Sequence, residues 1–252
     1  MNHQSHNLLN TAAIILAAGR GSRMKAKHKN KVAFLLDGEP MIKKTADNLK
    51  LAGVGQLIAV VGFAADSVKK ALGTEVTYVT QQEQLGTGDA IKTALPALHQ
   101  AITTVLSVYG DDSAFYPTTL YQAMISKLET SGADLLFLTI HKANPFGLGR
   151  IVRDKSGKIQ KIVEEKNATE EEKKITEINT GFYCFRRDFL EKYIGEIKKN
   201  SISGEYYLTD MVEIALNNGA VVETYIADNS VWHGVNNRSD YMLARAKLRN
   251  KK

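Results

Sequence analysis

The sequence predicts an α/β protein: a mostly parallel central sheet flanked by helices, with an antiparallel lobe beside it. Short apolar runs alternate with helical patterns through the first half of the chain, the signature of strands joined by crossover helices. Past residue 149 the strand-like runs instead follow one another around turns, as antiparallel pairs do. With 252 residues, 44% hydrophobic and 24% charged, the chain can build one large α/β domain around a sizeable core.

Taken in order, apolar runs of strand length stand at 12–16, 57–61, 76–79, 105–109 and 134–140. Helical spacing fills the intervals near 42–52, 65–72, 87–99 and 118–130. The second half offers strands at 149–152, 159–163 and 178–185, the first two joined by the turn Asp154-Lys-Ser-Gly157. Thr169-x-x-Glu172 has the form of a capping box and opens a short charged helix. Helices at 206–218, closed by Gly219, and at 238–249 complete the chain. Internal repeats and linkers are absent from the sequence, so residues 11–252 read as a single domain behind a flexible polar leader at 1–10.

Composition narrows the function. No apolar run approaches the ~20 residues that span a bilayer, and residues 1–10 hold no Lys or Arg for a signal peptide, so a cytoplasmic, membrane-free protein is expected. The single cysteine, Cys184, lies in an apolar run, where a buried strand thiol is expected rather than a nucleophile or zinc ligand. The net charge of +6 suits an acidic ligand. Basic clusters at residues 25–31 and 247–252 lack the interleaved aromatics of a single-strand platform, so no nucleic-acid partner is expected.

The most informative segment is Leu16-Ala-Ala-Gly19-Arg-Gly21-Ser-Arg23-Met24, directly after the first strand. Small residues and two glycines let backbone N–H groups converge on an anion, and Arg23 and Lys31 add positive charge beside them. A nucleoside triphosphate is the implied ligand. A dinucleotide-binding turn would need a third glycine, which Ser22-Arg23-Met24 does not supply, and an apolar crossover helix where residues 20–31 carry lysines. Asp111 follows the strand at 105–109 and points into the same crevice, where a carboxylate can hold Mg²⁺; Asp112 is the rival ligand. In Gln81-Gln-Glu-Gln84-Leu-Gly86-Thr87-Gly88, clustered amides and bare backbone offer the directed donors and acceptors that reading a base edge requires.

The segments L-A-A-G-R-G-S-R-M, Q-L-G-T-G-D-A, Y-G-D, G-L-G-R-I-V-R-D, I-V-E-E-K-N-A, E-I-N-T-G, G-E-Y-Y-L-T-D and G-V-N-N-R occur in that order across residues 13–246. This series resembles the uridylyltransferase (pyrophosphorylase) half of bacterial bifunctional N-acetylglucosamine-1-phosphate uridyltransferases. The resemblance implies a Rossmann-like, GT-A-type fold with a nucleotide-binding lobe at about 11–142, an acceptor-sugar lobe at about 143–236 and a C-terminal helix at about 238–250. It implies nucleotide contacts by Leu16, Ala17, Ala18, Gly19, Gly21, Gln81, Gln84, Gly86, Thr87, Tyr109 and Gly110. Arg23 and Lys31 would neutralise the triphosphate. Asp111 and Asn236 would hold Mg²⁺, although Asn236 also suits a turn. Gly149, Glu164, Asn179 and Thr180 would bind the sugar phosphate, with Glu165 competing with Glu164 for the inward position.

The implied reaction joins UTP and a sugar 1-phosphate, N-acetylglucosamine 1-phosphate first, into a UDP-sugar (UDP-N-acetylglucosamine) with release of pyrophosphate. A same-fold transferase for another sugar phosphate, or for CTP and a phospho-alcohol, is the enzymatic alternative; a non-catalytic nucleotide-sugar sensor is the other. Three departures from the family pattern stand out. Asp112-Ser113 follow Y-G-D where an apolar residue and proline are usual. Lys31 follows Asn30 in place of a proline. The hexapeptide repeats of a left-handed β-helix are missing from these residues, so acetyl-CoA and trimer assembly are not expected, and a monomer or small homo-oligomer is.

Overall fold

Seven buried residues in a row, Thr11–Ala17, form the central strand β1. The computed structural model describes residues 8–21, 24, 28–235 and 237–249. Ala12, Ile14 and Leu16 pack into one apolar cluster and Ala13, Ile15 and Ala17 into another on the opposite face, as the twofold alternation of a strand dictates. The chain continues through a small hairpin, β2 (Leu35–Leu36) and β3 (Glu39–Pro40), into α1 (Met41–Leu51), β4 (Gln56–Val61), α2 (Ala65–Leu72) and β5 (Thr77–Thr80). It then forms α3 (Thr87–Ala94), β6 (Thr104–Tyr109), α4 (Thr118–Ser131) and β7 (Leu135–His141). Strands β5, β4, β1 and β6 are mutually parallel neighbours.

The second half of the chain is antiparallel where the sequence places hairpins. Strands β8 (Arg150–Arg153) and β9 (Ile159–Val163) pair around a turn in which Asp154 Oδ1 accepts from the Ser156 and Lys158 N–H groups. Strand β10 (Glu177–Arg186) runs antiparallel between β6 and β7 and also pairs with β8, fastening this lobe to the main sheet. Helices α5 (Arg187–Tyr193) and α6 (Asp210–Asn217), strand β11 (Val222–Ala227) and helix α7 (Arg238–Arg249) follow. The sheet order is β11-β7-β10-β6-β1-β4-β5. Helices α1, α2 and α4 cover one face; α3, α5 and α6 cover the other.

Chain direction sets the site. From β1 the chain steps outward to β4 and β5, then returns to lay β6 on the other side of β1. That reversal opens a crevice at the carboxyl ends of β1 and β6, where open α/β sheets bind ligands.

Several boundaries differ from the sequence reading. The helix expected at 87–99 ends at Ala94 and tightens into a 3-10 turn over Leu95–Ala97, because Pro96 cannot continue an α-helix. The helix expected from 206 starts at Asp210, since Tyr206 is drawn onto the segment at 85–88. The capping box closes as expected, Thr169 N–H to Glu172 Oε2 at 2.8 Å and Glu172 N–H to Thr169 Oγ1 at 3.2 Å, over a single 3-10 turn. Helix α5 and strand β11 were not anticipated; one has only seven residues and the other is a partly exposed edge strand. Cys184 is buried in β10, and burial pushes its thiol well above the ordinary range. Among the described residues, no helix is long and apolar enough to cross a membrane.

Candidate active site

A cavity of about 440 Å³ occupies the crevice. It is lined by the end of β1 and the following loop (Leu16, Ala17, Ala18, Gly19, Gly21), by Lys31, and by Gln81, Gln84, Gly86 and Thr87, all expected from the sequence to meet the nucleotide. Tyr109 and Asp111 enter from the end of β6, and Glu164 faces them from the far lobe. Thus residues up to 193 positions apart in sequence, Leu16 and Thr209, share one space. Gly110 lies just behind: its N–H donates to Leu16 O at 3.2 Å, and a side chain there would press on Ile42 and Val32. Arg23 and Asn236 fall outside the described residues.

Acidic and basic groups meet at the end of β6. Lys31 Nζ pairs with Asp111 Oδ2 and donates to the Val235 carbonyl at 2.8 Å. Asp111 Oδ2 meets Lys31 as a close charge pair outside hydrogen-bond geometry, so this buried oxygen has no directed donor among the described residues. Asp112 turns away: its Oδ1 accepts from the Val235 N–H at 3.0 Å, and it does not line the cavity. Of the two aspartates, Asp111 is the one presented to a ligand.

Burial, and then the negative charge of Asp111, pushes Asp112 up to about 8 from an ordinary value of 3.8. An acid with a raised folded-state pKa holds its proton more tightly folded than unfolded. Its stabilising contribution is therefore complete below about pH 4 and is lost as pH rises through about 8. Asp112→Asn keeps the acceptor for Val235 without the charge. In chelator, its melting temperature should rise relative to the unmodified chain between pH 4 and pH 8.5; parallel pH profiles would contradict this reading.

The loop at residues 81–89 is held by several bonds. Gln81 donates its side-chain amide to Gly86 O at 3.0 Å and Asp89 Oδ2 at 2.7 Å, which leaves its carbonyl to accept from a ligand. Gly86 has φ +103°, and a Cβ there would stand 2.5 Å from Tyr206 O, so only glycine fits. Gly88 N–H donates to Tyr206 O at 2.8 Å, Tyr206 N–H to Leu85 O at 2.7 Å, and Leu208 N–H to Thr87 Oγ1 at 2.9 Å. These bonds zip the 205–209 segment to the loop and bring Glu205, Tyr207 and Thr209 to the cavity wall. All three lie in the segment G-E-Y-Y-L-T-D, whose polar-aromatic pattern is the one sequence signal for them.

The residues expected to bind the sugar phosphate divide. Glu164 lines the cavity, whereas Glu165 Oε2 is engaged by buried Arg150 and by the Gly147 N–H, which decides the competition between these neighbours. Burial raises the Glu164 carboxyl above its ordinary value, the charge of Asp210 adds to this, and Arg150 opposes it. Gly149 sits against Glu164, since a Cβ there would come within 3.2 Å of Oε1. Asn179 and Thr180 stand behind the wall and do not line the cavity. Asn179 Nδ2 donates to the Tyr183 hydroxyl at 2.7 Å and its Oδ1 accepts from the Gly181 N–H at 3.0 Å, across the irregularity in β10. Thr180 Oγ1 donates to Leu138 O at 3.0 Å, within the sheet. At Gly181, φ +81°, a Cβ would stand 2.1 Å from the Tyr109 ring, so the glycine makes room for Tyr109 between the lobes.

Comparison with known proteins identifies relatives of the chain. The chain is 44% identical over 226 residues to the bifunctional protein GlmU of Carboxydothermus hydrogenoformans, covering 89% of this chain and 50% of that one. It is 43% identical over 227 residues to the GlmU of Geobacillus sp. strain WCH70, covering 90% and 49%. The chain thus spans about half the length of the curated relatives it matches. A solved Bacillus anthracis structure described as a "Putative Glucose-1-Phosphate Thymidylyltransferase" shares the fold, with a TM-score of 0.77, 21% identity, and coverage of 95% of this chain and 96% of that one. The family model described as nucleotidyl transferase matches residues 12–251, so this chain belongs to the nucleotidyl transferase family of enzymes.

Proposed function

We propose that the chain is a Mg²⁺-dependent uridylyltransferase that joins UTP to a sugar 1-phosphate, with N-acetylglucosamine 1-phosphate the preferred acceptor. The observation that carries this reading is one cavity shared by both halves of the chain. Glycine-loop backbone, Lys31 and Asp111 line it, beside Gln81, Gly86, Thr87 and the 205–209 segment bonded to that loop, and Glu164 reaches it from the antiparallel lobe. A phosphate oxygen of the sugar 1-phosphate attacks the α-phosphorus of UTP, the bond to the β-phosphate breaks, and pyrophosphate leaves. No protein nucleophile is required; holding the two phosphates in line and neutralising their charge supply the rate.

The donor set fits Mg²⁺. Among the described residues no cage of three His, Cys, Asp or Glu side chains exists. Mg²⁺ does not need one, because it is commonly held by one or two carboxylates with waters and substrate phosphates. The buried Asp111 Oδ2, without a directed donor, is the natural ligand, and Asn236 is the second proposed one. When bound, the ion offsets charge on the triphosphate and on the leaving pyrophosphate. Lys31 adds fixed positive charge, Gln81 and the Gly86–Thr87 backbone read uracil, and Glu164 accepts from sugar hydroxyls.

Pyrophosphate release, measured for four nucleoside triphosphates against several phosphorylated acceptors, tests the reading. UTP with N-acetylglucosamine 1-phosphate should be the best pair. dTTP is the informative competitor, since it keeps the pairing edge of uracil but adds a methyl and lacks the 2′-hydroxyl. Preference for CTP with a phospho-alcohol would overturn the substrate assignment; tight binding without pyrophosphate would favour the sensor. Glucose 1-phosphate leaves an acetamido site unpaired and should be about tenfold to a few hundredfold less specific, from roughly 1–3 kcal/mol. Equal specificity constants for the two sugars in the unmodified chain would remove the N-acetyl preference.

A further inference from the structure

Asn30 is 1% exposed, lines the cavity and was given no role by the sequence. Its Nδ2 donates to three carbonyls: Ala17 at 2.8 Å, Phe63 at 2.8 Å and Gly19 at 3.2 Å. Its Oδ1 accepts from the Val32 N–H at 3.1 Å, capping the turn that begins at Lys31. Its own N–H donates to Ser67 Oγ at 2.9 Å, and Ser67 Oγ donates to Ala64 O at 2.7 Å. One side chain therefore joins the end of β1, the loop after β4 and the turn that carries Lys31. The adjoining backbone is under constraint: Ala64 takes the left-handed φ of +50°, and a Cβ at Gly62 would stand 3.0 Å from Ala18 O.

We propose that Asn30 is a positioning residue that shapes the triphosphate loop, a role that rests on the nucleotidyl-transfer reading above. Backbone carbonyl oxygens left facing a triphosphate would repel it. The Asn30 amide draws those of Ala17, Gly19 and Phe63 onto itself. Because a trans peptide aims its N–H opposite its carbonyl, this turns the Ala18 and Arg20 N–H groups away from Asn30. The same side chain fixes the backbone beside Lys31, so anion cradle and cation are set together. An aspartate in this place keeps the shape and the bond from Val32 but sets a carboxylate against three carbonyls, whereas alanine leaves them without a donor.

Binding of UTP, tripolyphosphate and uridine to the unmodified chain, Asn30→Asp and Asn30→Ala tests this, together with the KM for N-acetylglucosamine 1-phosphate. Both variants should raise the Kd of UTP and of tripolyphosphate at least tenfold while leaving the Kd of uridine and the acceptor KM within about twofold. Weakening of all four alike, or a lower melting temperature with unchanged triphosphate binding, would make Asn30 a structural residue only. The unmodified chain supplies a second readout if both variants fail to fold. Its Asn30 side-chain amide protons should exchange slowly by NMR and shift on adding tripolyphosphate; exchange at the solvent rate, or no shift, would overturn the proposal. A chain that binds tripolyphosphate through Asn30 but turns over no nucleotide–acceptor pair would overturn the transferase reading and leave this role standing.

Discussion

Asp111→Asn is expected to lower turnover about a thousandfold while the fold survives. A lost metal-ligating carboxylate removes several kcal/mol of charge stabilisation from the transition state, and each ~1.4 kcal/mol is about tenfold in rate. The stability cost is expected to be small because two effects oppose. The substitution takes a partner from Lys31, but it also removes a charge that raises the Asp112 carboxyl, so ionising that buried neighbour costs less. Steady-state kinetics across a Mg²⁺ titration, with thermal melts, would check both. Asp112→Asn should retain most of the turnover, since its carboxylate serves the Val235 backbone. An inactive Asp112→Asn beside a near-normal Asp111→Asn would exchange the two roles.

Gly181→Ala should be the most damaging single methyl addition in the acceptor lobe. The added carbon would fall 2.1 Å from the Tyr109 ring, and φ +81° strains any residue with a Cβ. Overpacking and left-handed strain together are expected to cost about 2–4 kcal/mol of stability. Tyr109 lies beside Asp111 at the end of β6, and a displacement of ~1 Å in a positioned site can cost ~100-fold in rate. Melting temperature and kcat should therefore fall together. Normal activity in Gly181→Ala would show that the Tyr109 ring has space the structure does not indicate.

The sheet was legible because each strand and crossover helix carries its own local pattern. Strand β1 is a single apolar run, and α7 begins and ends where periodicity places it. That the glycine-loop and Q-L-G-T-G segments line one cavity was legible for the same reason: small residues, glycines and amides lie together in sequence. What was not legible depends on distance along the chain. Asn30 acts on partners 11 to 37 residues away, and nothing near it in sequence announces them. Glu205, Tyr207 and Thr209 reach the cavity through bonds to residues 85–88, across about 120 positions. The choice of Glu164 over Glu165, and of Asp111 over Asp112, turns on the partners Arg150 and Val235, which only the fold supplies.

The most direct test of the account uses UTP labelled at its α-phosphorus, incubated with the chain, Mg²⁺ and N-acetylglucosamine 1-phosphate. The account predicts that the label passes into UDP-N-acetylglucosamine while unlabelled pyrophosphate forms in equal amount, and that chelator stops both. Label that stays in unreacted UTP, or that appears only in UDP or UMP without sugar attached, would contradict it.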